Sequence, residues 1–189
     1  TVLKFSRVAV LHDKTAYGQG LADAFKDVAS KLGVEIVLYE GFDNKERNFR
    51  DIITKVMSFN PQLYYFGGIY DQAGPLVLQA KEAGLKCPLL SGDGVFDQEF
   101  LKTAGASADS SFLTFADPYG SEKAISFSEK YKAKFGEVGP YSVYAYDAAN
   151  ILISSIDKVK STDGKMVSEV IHNTEFDATV GKIKYDAKG

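Results

Sequence analysis

Arg7-Val-Ala-Val-Leu-His-Asp-Lys-Thr-Ala-Tyr-Gly-Gln-Gly-Leu21 decides the fold. Arg7 to Leu11 is a short apolar run of strand type that stops at the polar group His12-Asp13-Lys14. Beyond Gly18 and Gly20, the residues Leu21, Ala22, Phe25, Val28, Ala29 and Leu32 recur at helical spacing, and Gly33 ends the helix. Val34 to Tyr39 then reads as a second strand. Strand, helix and strand within about thirty residues form one βαβ unit.

The same cycle repeats downstream. Phe49, Ile52, Ile53, Val56 and Met57 mark a helical face, Asn60-Pro61 breaks it, and Leu63 to Phe66 is strand-like. After Gly67-Gly68 the stripe Ala73, Leu76, Val77, Ala80, Ala83 predicts a helix closed by Gly84. Pro88 to Leu90 is a short strand, residues 97–104 a helix, and Ser111 to Phe115 a further strand. Such alternation predicts an α/β fold, a doubly wound parallel sheet with flanking helices. The rhythm changes at Ala116 to Gly120. Helices are expected from Ser121 to Phe135, from about Tyr141 to Val159 and from Lys165 to His172, with alternation at Val180 to Tyr185 and a turn at Asp186 to Gly189. That last third has helices but little sheet to bury them against.

The 189 residues carry 25 acidic and 22 basic side chains, a net charge of −3, which excludes the concentrated basic face that nucleic acid requires. No run of 18 apolar residues exists, so no membrane span is expected. Cys87 is the only cysteine, and no Cys/His cluster has metal-ligand spacing, so neither disulfide nor metal is expected. The first residue is not Met, and Thr1 to Arg7 lacks signal-peptide features, which favours a processed or cut chain. There is no Trp, but 11 Tyr and 13 Phe. Surplus tyrosine fills a core with its hydroxyl satisfied, or lines a ligand cleft.

Open α/β sheets bind ligands at the carboxyl ends of their strands. Here those ends carry His12-Asp13-Lys14 with Tyr17, then Gly67-Gly-Ile-Tyr70 with Asp71 and Gln72, then Ser91-Gly-Asp-Gly94. A carboxylate between glycines, Asp93, is suited to pair with an ammonium group. Each residue also has a structural reading: Asp93 as a cap, Asp13 as a turn residue, His12 as a satisfied core histidine, Tyr17 as a packing staple, Gly67-Gly68 as a tight turn. Phosphate binding lacks support, because Tyr17-Gly-Gln-Gly20 has no third glycine and no P-loop Gly-Lys-Ser/Thr occurs. A receiver-type phosphotransfer domain shares the sheet, but Asp71 falls late for a phosphoacceptor and Thr114-Phe-Ala116 stands where its lysine belongs.

Six phrases, in order, resemble one family: residues 7–21, Leu63-Tyr-Tyr-Phe-Gly-Gly68, Gln79 to Lys86, Leu89-Leu-Ser-Gly-Asp-Gly94, Gly139 to Asp147 and Val180 to Gly189. Together they are similar to the branched-chain amino acid (Leu/Ile/Val) binding proteins of ABC importers, across essentially the whole chain. The resemblance implies a periplasmic-binding-protein type I lobe, extracytoplasmic location after signal-peptide removal, no catalysis, no cofactor, an amino-acid ligand trapped by hinge closure, and an ABC permease as partner. It begins near the first interlobe crossing, Thr1 to Ser6, and ends near the third, Gly189. It therefore implies that residues 1–117 are the core of lobe two. Residues 118–189 would be returning helices and a strand of lobe one, without the N-terminal part they normally cover. Tyr17 matches a ligand-contacting tyrosine, Asp93 the acidic residue that pairs with the α-ammonium, and Tyr141 an aromatic that packs on the ligand. Ile69 stands where an aromatic frequently lines the pocket, with Tyr70 and Gln72 beside it. The groups that hold the α-carboxylate belong to the absent part. Uncovered apolar helix residues, including Phe127, Tyr131 and Ile151, predict unusual packing or an exchanged homodimer. The alternative function is a ligand-sensing domain of the same fold, which uses closure to signal rather than to transport.

Overall fold

Val8, Ala9, Val10 and Leu11 are all buried, so the first strand is covered on both faces, as a central parallel strand must be. In a computed structural model that describes residues 4–186, this strand, β1 (Arg7–His12), lies inside a five-stranded, wholly parallel sheet. It pairs with β2 (Glu35–Gly41) and β3 (Leu63–Gly67), and β4 (Leu89–Ser91) and β5 (Phe112–Leu113) extend the sheet beyond β3, in the order β2-β1-β3-β4-β5. The expected fifth strand, residues 111–115, is thus shorter than its apolar run.

Side-chain alternation sorts the core into two layers. Val8, Val10, Leu63 and Tyr65 face α1 (Ala16–Lys31), where Ala22 and Phe25 meet them and Phe25 stacks on Tyr65 at 4.1 Å. Ala9, Leu11, Tyr64 and Phe66 point the other way, into the larger cluster. That cluster includes Ile53 and Val56 of α2 (Arg50–Ser58), Leu76 and Val77 of α3 (Tyr70–Glu82), and Phe100 of α4 (Gln98–Ala104). Met57, expected on the buried face of α2, is 40% exposed. Helices on both faces confirm the doubly wound α/β fold.

Close packing divides the chain into two compact units, Thr1–Ala116 and Asp117–Gly189. The second contains α5 (Glu122–Phe135), α6 (Ser142–Val159) and α7 (Gly164–Asn173), with an antiparallel pair of two-residue strands, β6 (Phe176–Asp177) and β7 (Lys182–Ile183). Ser121 and Asp163 cap α5 and α7, accepting from the amides of Ala124 and Met166. The strand expected at 180–185 shrinks to β7, and β6 is an element the alternation did not announce. Buried Asp147 of α6 fixes the β6–β7 connection by accepting from the amides of Thr179 (2.8 Å) and Val180 (2.9 Å). The expected turn at 186–189 lies mostly outside the described residues, as does the start of the first crossing near 1–6. Among the described residues no helix is long and apolar enough to cross a membrane.

Candidate functional site

The sheet order reverses between β1 and β3: β2 continues on one side of β1, and β3 to β5 on the other. At such a switch point the loops after the two strands diverge and leave room for a ligand. The strand ends are tied together there, since the Asp13 amide donates to the Gly67 carbonyl at 3.1 Å.

The loop after β1 is built around Asp13. Its Oδ1 accepts from the Thr15 amide (2.9 Å) and the Thr15 hydroxyl (2.6 Å), and the Thr15 hydroxyl oxygen accepts from the Gly18 amide (2.9 Å) to cap α1. The buried Asp13 therefore serves as a turn residue. His12 is buried as well; its Nδ1 accepts from the Lys14 amide at 3.2 Å and its ring lies 5.2 Å from that of Tyr39. Burial holds its pKa below the ordinary histidine value, against the opposing charges of Asp23 and Asp13.

Capping at Thr15 places Tyr17 in the first turn of α1. Its phenol donates to Asp93 Oδ1 at 3.2 Å, joining residues 76 positions apart. Asp93 follows β4 and opens a 3-10 turn, Asp93–Val95. It is not the cap of α4; Asp97 is, accepting from the Glu99 amide at 2.8 Å. Desolvation first, and then the adjacent Asp93 carboxylate, raise the Tyr17 phenol above its usual pKa. Gly94 makes this arrangement possible, because a Cβ there would lie 2.8 Å from the Tyr17 hydroxyl and 2.9 Å from the Gly68 carbonyl. Nor could α1 and β3 approach as they do with a side chain at Gly18 or Gly67, where a Cβ would overlap the other residue's backbone carbonyl.

The third strand end contributes less than its sequence suggests. Ile69, 39% exposed, precedes α3 and is open to a ligand. Tyr70 packs against the large core cluster. Gln72 is 1% exposed, and its amide donates to the Asn44 carbonyl while Oε1 is buried without a partner. The structure thus brings Tyr17 and Asp93 together and turns Gln72 toward the loop after β2. Tyr141 belongs to the second unit, where it precedes α6 and is 45% exposed. Sequence reasoning did not single out Thr15 or the missing side chain of Gly94 as determinants; the Thr-x-x-Gly capping position and the Gly-Asp-Gly spacing were their signals. Among the described residues no three His, Cys, Asp or Glu side chains converge as a metal site.

A sequence model of a family described as periplasmic binding protein matches residues 1–189. An amino acid binding protein of Pseudomonas aeruginosa is 37% identical over 191 residues, covering 100% of this chain and 51% of its own length. Leu/Ile/Val-binding protein homolog 2 of Brucella abortus is 34% identical, covering 98% of this chain and 51% of its own. Among solved structures, the leucine binding protein LivK of Thermotoga maritima superposes with a TM-score of 0.88 at 28% identity, over 100% of this chain and 55% of that one. The branched-chain amino acid binding protein LivJ of Streptococcus pneumoniae, in complex with isoleucine, gives 0.82 at 27% identity, over 98% and 54%. The chain spans about half the length of the curated relatives it matches.

Proposed function

The chain belongs to the periplasmic binding protein family, a family of solute-binding proteins rather than enzymes, and on that premise we propose that it supplies the ammonium-binding half of an amino-acid site. The observation that carries this reading is the Tyr17–Asp93 pair at the carboxyl edge of the sheet, beside the switch point. An ammonium group seated on Asp93 makes a charge-assisted hydrogen bond, and Tyr17 holds the carboxylate in position while offering its ring to the ligand. Exposed Ile69 offers an apolar contact for the ligand's side chain. Gln72 supports the site from within rather than touching the ligand. Tyr141 enters this proposal through the family resemblance alone.

Branched-chain amino acids are the leading ligands, since the relatives include Leu/Ile/Val-binding proteins. In a longer protein the same site would deliver its ligand to an ABC permease from an extracytoplasmic compartment. The chain itself is expected to bind weakly, with a dissociation constant of about 1 mM or above, because the carboxylate-holding groups lie outside it.

Titrating amide NMR spectra with L-leucine tests this. The Gly94 and Tyr17 signals should shift, and 4-methylpentanoate, which lacks the ammonium, should leave them unmoved. Asp93→Asn removes a hydrogen bond to a charged group, about 1.5–3 kcal/mol, or roughly 10- to 150-fold in affinity. A response to leucine that survives in Asp93→Asn sinks the assignment, and micromolar affinity in the native chain refutes the half-site.

A further inference from the structure

The turn that launches α1 closes on a residue in an unfavourable conformation. Lys14 has φ 59°, in the left-handed region that a residue with a Cβ seldom occupies. On one side of it the Asp13 amide is tied to the Gly67 carbonyl, and on the other Thr15 caps α1. The Lys14 amide itself donates to His12 Nδ1 at 3.2 Å, a bond that spans the turn. Thr15 carries the geometry onward: its hydroxyl oxygen accepts from the Gly18 amide, and Tyr17 lies between the two with its phenol on Asp93.

The His12 ring has a fitted seat. Gly41 is its partner in the β1–β2 register, and a Cβ there would lie 2.4 Å from His12 Cε1 and 2.8 Å from Lys14 Cγ. The groups that face the ring are Asp23 of α1, Tyr39 of β2, and Asp13 and Lys14 of its own loop. Tyr39 donates to Asp23 at 2.5 Å and Lys26 lies 3.6 Å from the same oxygen, so that carboxylate is already partnered twice.

A histidine Nδ1 accepts a hydrogen bond only in the neutral ring that carries its proton on Nε2. A proton on Nδ1 turns the acceptor into a donor that faces the Lys14 amide. With Gly41 against its edge the ring has little room to turn aside, so the Lys14 turn gives way and loses the bond that offsets its strain. Burial keeps the ring's pKa below 6.5, so the neutral form prevails above that value and is lost as pH falls through the lowered one.

We propose that His12 is a positioning residue of the half-site: its neutral ring holds the Lys14 turn, and through Thr15 the start of α1, in the conformation that brings Tyr17 to Asp93. The functional consequence rests on the amino-acid reading above: a proton taken up by His12, which does not touch the ligand, weakens binding.

Amide NMR spectra recorded from about pH 7 to about pH 4.5 test this. Without ligand, the Lys14, Thr15, Gly18 and Gly94 signals should move together, with the midpoint of the His12 ring protons. In His12→Asn, whose Oδ1 stands where the ring Nδ1 accepts, they should keep their neutral-pH positions. In His12→Leu they should hold the acid positions throughout, and urea unfolding of the first unit verifies that both variants fold. L-leucine keeps both its charges over this range, so its dissociation constant should rise about fivefold on acidification of the native chain and stay level in His12→Asn. By reciprocity, leucine should lower the His12 midpoint. Signals at Thr15, Gly18 and Gly94 that ignore the His12 titration, or that titrate identically in His12→Asn, overturn the positioning role. A leucine affinity that ignores pH while those signals move overturns its consequence. Signals that follow His12 while leucine moves nothing at any pH bear out the role and refute the amino-acid reading instead, so the two failures are told apart.

Discussion

Replacing Gly94 with alanine adds one methyl group where Tyr17, Asp93 and the β3 loop converge. The new Cβ would stand 2.8 Å from the Tyr17 hydroxyl, 3.2 Å from Tyr17 Cε1 and 2.9 Å from the Gly68 carbonyl oxygen. Ordinary contacts are longer by half an ångström or more, so two neighbours must yield. The Gly68 carbonyl is backbone in a short strand-to-helix turn and moves with difficulty. The half-exposed Tyr17 moves more easily, and moving it stretches the 3.2 Å bond to Asp93. Overpacking of this kind costs about 1–3 kcal/mol. Against it stands the lower entropy of the unfolded alanine chain, about 0.4–1 kcal/mol, since Gly94 does not occupy the positive-φ region that alanine avoids. Overpacking wins, and a net loss of about 1 kcal/mol is expected. Gly20→Ala provides the opposite sign: the position is in α1, its Cβ would meet nothing within 4 Å, and alanine should stabilise by about 0.5–1 kcal/mol. Urea unfolding followed on first-unit amide signals measures both changes. Tyrosine ring NMR should also show the Tyr17 phenol titrating nearer its ordinary value in Gly94→Ala, because separation weakens the influence of Asp93. A Gly94→Ala chain as stable as the native one, with Tyr17 titration unchanged, refutes this account of the site.

The folded state disfavours protonation of His12, whose pKa is lowered by burial, so its contribution to stability is complete above the unfolded value near 6.5 and declines as pH falls from there through the folded pKa. The urea midpoint should drop over that window, and the drop should shrink in His12→Asn, whose Oδ1 stands where the ring Nδ1 accepts from the Lys14 amide. Asp147→Ala removes the acceptor of the Thr179 and Val180 amides and should destabilise the second unit by about 2–3 kcal/mol; hydrogen exchange that stays slow at both amides would exclude this role.

Much of the first unit is legible in sequence because burial and period coincide there. β1 and β3 are covered on both faces and read as unbroken apolar runs, while the helices between them carry an apolar stripe. Strand-end logic then leads to Tyr17 and Asp93 as residues of one edge. Their hydrogen bond was not legible, because it depends on how close α1 comes to β4, and Gly18, Gly67 and Gly94 set that distance by what they lack. Gln72 illustrates a signal passed over. It lies four residues before the fully buried Leu76, so helical phase alone directs it to the core, whereas proximity to Gly67-Gly68 directs it to the ligand. The β6–β7 pair was illegible for another reason. Two-residue strands have no period to detect, and the anchor is a carboxylate more than thirty positions away on α6.

These observations explain why tyrosine count alone could not distinguish core from cleft. Tyr64 and Tyr65 are buried in the sheet, and burial raises both phenols, that of Tyr65 to about 12. Tyr39 reaches Asp23 of α1 at 2.5 Å with Lys26 4.3 Å from its ring centre. Tyr17 differs from them in one respect: its ring is exposed while its hydroxyl is held by a carboxylate from another strand end. The loop geometry that creates this difference comes from Asp13, Thr15 and three glycines, so Tyr17 and Asp93 are positioned largely by backbone before any ligand arrives. A half-site fixed in this way loses little conformational entropy on binding, and weak affinity in the isolated chain would then reflect missing contacts rather than disorder.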